Sequence, residues 1–149
     1  MAGQSFLPEI LKGMEFPGIE YRWLGAYHYG TPRVQIFHTN MFAYWKPLLV
    51  YSKEGAQPKW TTDYISPDPL TTGNKNKRWH KWNQSVDGVE KMIRMATGVA
   101  EAQLDGTLIA DPFLGGGSTA LACARLGADF IGCDVDEESV QTTWERLML

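Results

Sequence analysis

The chain has 149 residues, 44% of them hydrophobic, and a formal net charge of −3 at pH 7. This length limits the chain to one domain, and the apolar content is sufficient for a hydrophobic core. The slightly negative charge excludes a global basic field that would attract nucleic acid. The apolar runs are too short to span a membrane and the N-terminus lacks a signal-peptide pattern, so we predict a cytoplasmic protein.

The first part of the chain predicts a short helix and two strands. The segment Ser5–Leu11 combines a capping serine with Pro8 in the first turn, a combination typical of a helix start. Aromatic and β-favouring residues at Ile19–Tyr29 predict a strand, and Pro47–Tyr51 predicts another. The irregular segment Thr31–Tyr44 predicts a loop. Because no helix separates the two strands, we expect them to pair antiparallel.

The second part predicts a long connection followed by alternating helices and strands. Prolines, glycine and basic residues mark Ala56–Lys77 as an exposed connection. An apolar stripe at helical spacing predicts a helix over Val86–Ala100. Short apolar runs at Thr107–Ala110 and Phe130–Cys133 predict two strands, and Thr119–Leu126 has the composition of a helix between them.

Acidic residues and glycines lie where these last two strands end. Asp111 follows the first strand, Asp134 follows the second, and Gly115–Gly117 lie between them. This order is that of the βαβ unit that binds dinucleotides, with Asp134 placed to bind a ribose diol. However, Asp111 repels phosphate and suits a cationic amine, and the third glycine of an NAD-type site is missing. S-adenosylmethionine (SAM) is therefore the predicted ligand, and an NAD-type domain is the disfavoured alternative.

The segment Asp111–Thr119 (DPFLGGGST) resembles motif I of the DNA amino-methyltransferases. The resemblance is closest to the phage and prophage DNA N6-adenine methyltransferases of the permuted, β-class motif order. It implies an α/β, Rossmann-like, SAM-dependent methyltransferase fold. It also implies cofactor contacts from the motif and from the second acid, namely Asp111, Pro112, Phe113, Gly115, Gly117, Ser118, Thr119 and Asp134. A βαβ unit without a ligand is the alternative.

Two further segments resemble this family. Trp45–Tyr51 resembles the strand that precedes motif X, and His80–Ser85 resembles motif X, which lies against the methionine end of the cofactor. The resemblance therefore adds His80, Gln84 and Ser85 to the cofactor-binding residues. A surface histidine and an ordinary helix cap are the alternatives for these positions.

The catalytic motif IV of this family, [DNS]-P-P-[YFW], is not present in the sequence. Ser66–Pro69 is a near match without paired prolines or an aromatic residue, so we predict no catalytic residue in this chain. Met1–Leu7 resembles the interior of the family's chain, and the sequence resembles the C-terminal portion of a methyltransferase. A natural fragment, a truncated gene product and a split subunit all remain open. We expect a permuted, incomplete fold whose central strands are missing, leaving two strand pairs with exposed apolar edges.

The resemblance implies methyl transfer from SAM to the exocyclic amine of an extruded DNA base, with adenine N6 as the expected target. Alone, the chain is expected to be inactive and either poorly stable or self-associating. Alternatives are a non-catalytic SAM-binding remnant or subunit of a split enzyme, which needs a partner chain, and a cytosine-N4 methyltransferase. Double-stranded DNA is the expected partner, contacted by a basic cluster (Lys75, Lys77 and Arg78) whose alternative is a solvated loop. The expected host is a bacterial or phage-infected cell.

The predicted organisation is a single, partial methyltransferase domain over residues 1–149. It comprises a helix with antiparallel strands (1–55), a variable loop (56–78), and motif X with the SAM-binding unit (79–149). Both cysteines, Cys123 and Cys133, are predicted to be buried thiols in a reducing compartment. The histidines lack ligand-like spacing, so no metal site is predicted.

Overall fold

A computed structural model describes residues 6–28, 34–57, 59–67 and 84–149. The α-helices within these ranges are α1 (Leu7–Gly13), α2 (Val86–Thr97), α3 (Ser118–Leu126) and α4 (Glu137–Leu147). The strands are β1 (Ile19–His28), β2 (Val34–Ile36), β3 (Met41–Ala43), β4 (Trp45–Lys53), β5 (Tyr64–Ile65), β6 (Leu108–Asp111) and β7 (Asp129–Gly132). Across these ranges, none of the helices has the length and apolar character needed to cross a lipid bilayer.

The first sheet has the strand order β4-β1-β5. Strands β1 and β4 pair antiparallel, from Ile19 opposite Lys53 to His28 opposite Trp45, which confirms the predicted pairing. The prediction that the connection after β4 contains no regular structure was wrong. There, β5 pairs with β1 in parallel, and the backbone N–H of Ala26 donates to the Asp63 carbonyl at 2.7 Å. The pairing satisfies backbone groups along the second edge of β1.

The prediction of a loop over Thr31–Tyr44 was also wrong. Strands β2 and β3 form an antiparallel hairpin in which Val34 lies opposite Ala43. A short 3-10 turn (Phe37–Thr39) connects them and ends at Asn40, which has a left-handed φ of 53°. Asparagine tolerates this conformation better than most residues, so the turn closes at that position. The strands are too short for alternation to be visible in the sequence.

The second sheet is the predicted βαβ unit. Strands β6 and β7 pair in parallel, from Leu108 opposite Asp129 to Asp111 opposite Gly132. Helix α3 connects them and ends at Gly127, whose φ of 69° is the left-handed conformation common after a helix. The predicted helix and strands are confirmed, with boundaries that differ by one residue.

Helix α2 packs against both sheet systems. One part of its surface, including Val89 and Ile93, packs in a buried cluster with Ala122, Cys123 and Leu126. Another part, at Met95, packs in a second cluster with Tyr27 and Ile65, and the side chain of Met92 packs against both clusters. The helix therefore fixes the first sheet relative to the βαβ unit. It ends at Thr97, before the predicted Ala100, because Gly98 adopts a left-handed φ of 65°.

The strands of the described ranges form three sheets that share no strand, namely β4-β1-β5, the β2-β3 hairpin and β6-β7. One edge of β4 and one edge of β6 have no partner strand there, as predicted, but the first sheet is not the predicted strand pair because β5 adds a third strand beside β1. Leu108 and Ile131 are 64% and 60% exposed, although strands of this type are normally covered. A groove of about 370 Å³ lies between Pro47–Tyr51 of β4 and the α2 residues Met92, Met95 and Ala96.

Two further sequence predictions can be compared with the fold. Cys123 is fully buried as predicted, but the prediction for Cys133 was wrong because this residue is exposed just after β7. Helix α1 carries a proline at its start, although Ser5, its predicted cap, lies outside the described residues. Helix α4 was not predicted. It begins after Asp136, whose carboxylate accepts from the Glu138 N–H at 3.3 Å.

Candidate cofactor-binding site

The carboxylate of Asp111 organises the turn that follows β6. Its Oδ1 accepts a hydrogen bond from the Phe113 N–H at 3.0 Å, and its Oδ2 accepts one from the Thr119 hydroxyl at 2.6 Å. The side chain thus connects the strand end to the first turn of α3. Each carboxylate oxygen has a second lone pair, so Asp111 retains the capacity to accept a hydrogen bond from a ligand.

The glycine loop, Gly115–Gly117, follows this turn. Gly115 and Gly117 have φ values of 50° and 73°, which residues with a Cβ rarely adopt. The Gly117 N–H donates to the Leu114 carbonyl at 2.9 Å and closes a tight turn at the start of α3. Gly115 and Gly117 are therefore required by the backbone conformation of the loop.

The second acid, Asp134, contacts the glycine loop directly. Its Oδ2 accepts from the Gly115 N–H at 2.8 Å, and its Oδ1 accepts from the Asp136 N–H at 3.0 Å. Since β6 and β7 are parallel neighbours, Asp111 and Asp134 lie at the same end of the sheet, with the glycine loop between them in the sequence. This end of a parallel sheet is where α/β proteins bind ligands.

The start of α2 is attached to the same loop. The Ser118 hydroxyl donates to the Gln84 carbonyl at 2.8 Å, so the motif I and motif X segments meet at this point. Ser85 is the N-cap of α2, and its hydroxyl accepts from the Gly88 N–H at 3.4 Å. His80, the third residue predicted from motif X, lies outside the described residues.

The predicted site residues differ in their accessibility. Phe113 is 85% exposed, and Pro112 is exposed beside it. Asp111 and Asp134 are partly exposed, so a ligand can reach both carboxylates. Ser118 is 7% exposed and already donates to Gln84, which favours a structural role for its hydroxyl.

The thiol of Cys123, which lies in α3 after the glycine loop, has a raised pKa. The Cys123 side chain is fully buried in α3, and burial followed by the negative charge of Asp111 raises its pKa to about 11. The thiol therefore remains protonated and unreactive near neutral pH. No group of His, Cys, Asp and Glu that could hold a metal ion is found within the described ranges.

Residues of α4 contact the glycine loop, and sequence reasoning missed them. The Arg146 guanidinium donates to the Gly116 carbonyl, and the buried Thr143 packs beside Gly117. A helix signal was present in the sequence, because Asp136 is a capping residue followed by Glu137 and Glu138 in the first turn. The contacts of Arg146 with the loop carried no such signal, because they depend on tertiary packing.

The arrangement suits a ligand with a positively charged amine and a vicinal diol. Two accessible carboxylates offer acceptors to both groups. A carboxylate at the end of β6 disfavours the pyrophosphate of a dinucleotide through charge repulsion. The basic cluster Lys75, Lys77 and Arg78, predicted to contact DNA, lies outside the described residues.

The chain is similar to known proteins over about half of its length. A Type II methyltransferase of Streptococcus pneumoniae, M2.DpnII, is 30% identical over 76 residues, which cover 51% of this chain and 28% of that protein. A Type II methyltransferase of Haemophilus parainfluenzae, M.HpaI, is 30% identical over 74 residues, which cover 50% of this chain and 22% of that protein. The chain thus spans less than a third of the length of these two relatives.

Solved structures show the same fold. The crystal structure of the M1.HpyAVI–SAM complex superposes with a TM-score of 0.73 at 24% identity, covering 99% of this chain and 72% of that one. A second M1.HpyAVI structure superposes with a TM-score of 0.69 at 21% identity, covering 99% of this chain and 70% of that one. The fold is thus that of an α/β, Rossmann-like methyltransferase, represented in part. A family profile described as DNA methylase (N6_N4_Mtase) matches residues 30–145, more than half of the sequence, and the chain belongs to this family.

Proposed function

We propose that this chain is the SAM-binding part of a DNA methyltransferase that modifies the exocyclic amine of a base, adenine N6 in the first instance. The observation that carries the proposal is the pair of carboxylates, Asp111 and Asp134, at the ends of neighbouring parallel strands beside a glycine loop. SAM supplies a methyl group on a positively charged sulfonium, together with an ammonium group and a ribose diol.

The residues of the site fit this cofactor. Asp111 is proposed to accept from the ammonium group, and Asp134 from the ribose hydroxyls, as in other βαβ nucleotide sites. Phe113 offers an exposed apolar ring next to the loop. Gln84 and Ser85 precede α2, and the bond from Ser118 to the Gln84 carbonyl places the start of this helix beside the glycine loop, where it is a candidate site for the cofactor carboxylate. His80 is added from its motif position in the sequence.

Calorimetric titration of the whole chain with SAM, its demethylated product and NAD tests the cofactor. We expect binding of the first two ligands and none of NAD. Asp134→Ala should weaken SAM binding by ~1–3 kcal/mol, the usual loss of a charged hydrogen-bond partner. Asp129→Ala is the matched control, because this exposed acid lies at the opposite end of β7. Equal affinities of wild type and Asp134→Ala would reject the assignment.

The proposed substrate is double-stranded DNA. Family membership supports DNA as the substrate, and the basic cluster Lys75, Lys77 and Arg78 is the proposed contact with its phosphates. Neutralising the three residues should weaken DNA binding by a complete methyltransferase that contains this chain. It should also lower the salt dependence of that binding. Unchanged DNA affinity would reject the basic cluster as a contact. Labelled methyl groups recovered on adenine or on cytosine would decide between the two target amines.

A second candidate function is a non-catalytic SAM-binding subunit that requires a partner chain. The observation in its favour is that the sequence contains no [DNS]-P-P-[YFW] tetrapeptide, which binds the extruded base in amino-methyltransferases. We propose that a polypeptide with this motif pairs with the partnerless edges of β4 and β6 seen in the described ranges. Methyl transfer should then require both polypeptides. Transfer by this chain alone would reject the partner requirement.

A further inference from the structure

The glycine loop is held by the helix that follows β7. The Gly116 carbonyl accepts a hydrogen bond from the Arg146 guanidinium near the end of α4. A Cβ at Gly117 would overlap the side chain of Thr143, one turn earlier on the same helix. Thr143 is 4% exposed, so this contact is part of the packed interior.

Hydrogen bonds connect α4 back to the second acid of the site. The Thr143 hydroxyl donates to the Ser139 carbonyl at 3.0 Å, and the Ser139 hydroxyl donates to the Asp136 carboxylate at 2.8 Å. The Asp136 N–H in turn donates to Asp134 at 3.0 Å. Helix α4 is therefore fixed relative to Asp134, and it can hold the loop at a constant distance from this carboxylate.

The contact with Arg146 fixes one peptide plane of the loop. In a planar trans peptide the carbonyl of Gly116 and the N–H of Gly117 point in opposite directions. Arg146 binds this carbonyl, while the N–H donates to the Leu114 carbonyl at 2.9 Å. Three consecutive glycines have high conformational freedom, so a loop of this composition needs such external restraints to keep one conformation.

The guanidinium is well suited to this position. Arg146 is partly buried, and burial together with the positive charge of Arg125 lowers its pKa. Because the guanidinium has a very high intrinsic pKa, it stays charged and donates a charge-assisted hydrogen bond. Its planar group also keeps a fixed orientation better than a lysine ammonium does.

We propose that Arg146 is a positioning residue for SAM binding, acting through the Gly116–Gly117 peptide. This proposal rests on the proposed function, in which the glycine loop contacts the cofactor. By keeping the loop in one conformation before SAM arrives, Arg146 lowers the entropic cost of binding.

The test compares Arg146→Met and Arg146→Lys with the control Arg125→Met. Arg125 is an exposed residue of α3 that pairs with Glu90 at 3.0 Å, and its charge lowers the pKa of Arg146. Arg125→Met therefore removes a neighbouring positive charge while it keeps the hydrogen bond between Arg146 and Gly116. For Arg146→Met we expect about tenfold weaker SAM binding by calorimetry and faster amide hydrogen exchange at Gly117. Arg146→Lys should recover part of the SAM affinity and part of the slow Gly117 exchange. Arg125→Met should change neither the affinity nor the exchange rate.

Two measurements separate this proposal from the proposed function. If the wild type does not bind SAM, the proposed function is wrong, but Gly117 amide exchange still tests the Arg146 restraint. Wild-type affinity and exchange in Arg146→Met, or equal losses in Arg146→Met and Arg125→Met, would overturn the proposal. If Arg146→Met does not fold, Arg146→Lys decides: intermediate values support the restraint, and wild-type values in both measurements contradict it.

Discussion

In this protein the carboxylate oxygens that hold the glycine loop are the same atoms that we propose to bind the cofactor. The carboxylate of Asp111 accepts hydrogen bonds from Phe113 and Thr119, yet it is partly exposed and can also face a cofactor. Asp134 similarly holds both Gly115 and Asp136. Substituting either acid will therefore change loop order as well as ligand contacts, so neighbouring residues give cleaner tests.

Thr119→Val tests the hydrogen bond to Asp111 without removing the acid. The valine keeps the branched shape but loses the hydroxyl donor of the 2.6 Å bond. We expect a loss of ~1 kcal/mol in the free energy of unfolding and weaker SAM binding. Denaturant unfolding and calorimetry measure the two effects, with Thr119→Ser as the control that keeps the donor. If Thr119→Val and the wild type have the same unfolding free energy and SAM affinity, the hydrogen bond from Thr119 to Asp111 contributes to neither.

The two cysteines should differ in reactivity. Burial and the charge of Asp111 raise the pKa of Cys123 to about 11, and the side chain is fully buried. Cys133 is exposed. At pH 8, iodoacetamide should therefore modify Cys133 in the folded protein and Cys123 only after denaturation, as followed by mass spectrometry. Rapid modification of both thiols without denaturant would contradict the burial.

The raised pKa also sets the sign of a pH effect on stability. The folded state keeps the Cys123 proton at pH values where the unfolded chain releases it. The contribution of the buried Cys123 thiol to the free energy of unfolding is therefore fully present below the ordinary thiol pKa of 9.0. This contribution is lost as the pH rises towards about 11. Cys123→Ala should flatten the decline of unfolding free energy over this window. If the unfolding free energy of Cys123→Ala declines as steeply as that of the wild type, other titrating groups cause the decline.

At the scale of elements, α2 holds the fold together because it packs on both sheet systems. Gly88 makes one of these contacts possible, since a Cβ at this position would overlap the Tyr27 ring and hydroxyl. Tyr27 is 5% exposed, and burial followed by the charge of Asp87 raises its pKa to about 12. The close approach of helix and strand therefore depends on a missing side chain.

Gly88→Ala should destabilise the protein despite the better helix propensity of alanine. Because the added Cβ would lie within 3.0 Å of three Tyr27 atoms, we expect overpacking in the upper part of the usual ~1–3 kcal/mol range, above the gain of about 1 kcal/mol from replacing a helical glycine. Thermal or denaturant unfolding measures the difference. Gly13→Ala in α1 is the control, because nothing lies within 4 Å of its added Cβ. Stabilisation by Gly88→Ala would show that β1 and α2 can separate at little cost.

At the scale of the whole molecule, exposed strand edges dominate the expected behaviour. Within the described ranges, β4 and β6 each have an edge without a partner strand, and Leu108 of β6 and Ile131 of β7 are largely exposed. Exposed apolar edges are templates for association with other strands. A second copy of this chain or a separate polypeptide could supply the strands that pair with these edges.

Leu108→Lys should reduce self-association of the isolated chain. The charge replaces a side chain that is 64% exposed on β6 and opposes pairing there. Sedimentation velocity at several protein concentrations should show association for the wild type and less for the variant. Met148→Lys is the control, because Met148 is 77% exposed but lies after α4. A wild-type chain that remains monomeric at all concentrations would contradict the edge argument.

The sequence by itself determined the βαβ unit and its acids. Glycines at 115 and 117, the acids Asp111 and Asp134, and Gly127 after the helix are local signals, because each reflects a backbone conformation or a charge at a strand end. The antiparallel pairing of β1 with β4 also followed from the sequence, since no crossover helix separates them.

Only the tertiary structure decided which segments meet. The pairing of β5 with β1, the hydrogen bond from Ser118 to Gln84 and the contact of Arg146 with Gly116 join residues 30 or more positions apart. The exposure of Cys133 was likewise invisible, because its burial depends on neighbours that the local pattern does not specify. Local propensity and periodicity indicate the longer helices and strands, whereas long-range packing fixes their partners and forms short strands such as β5.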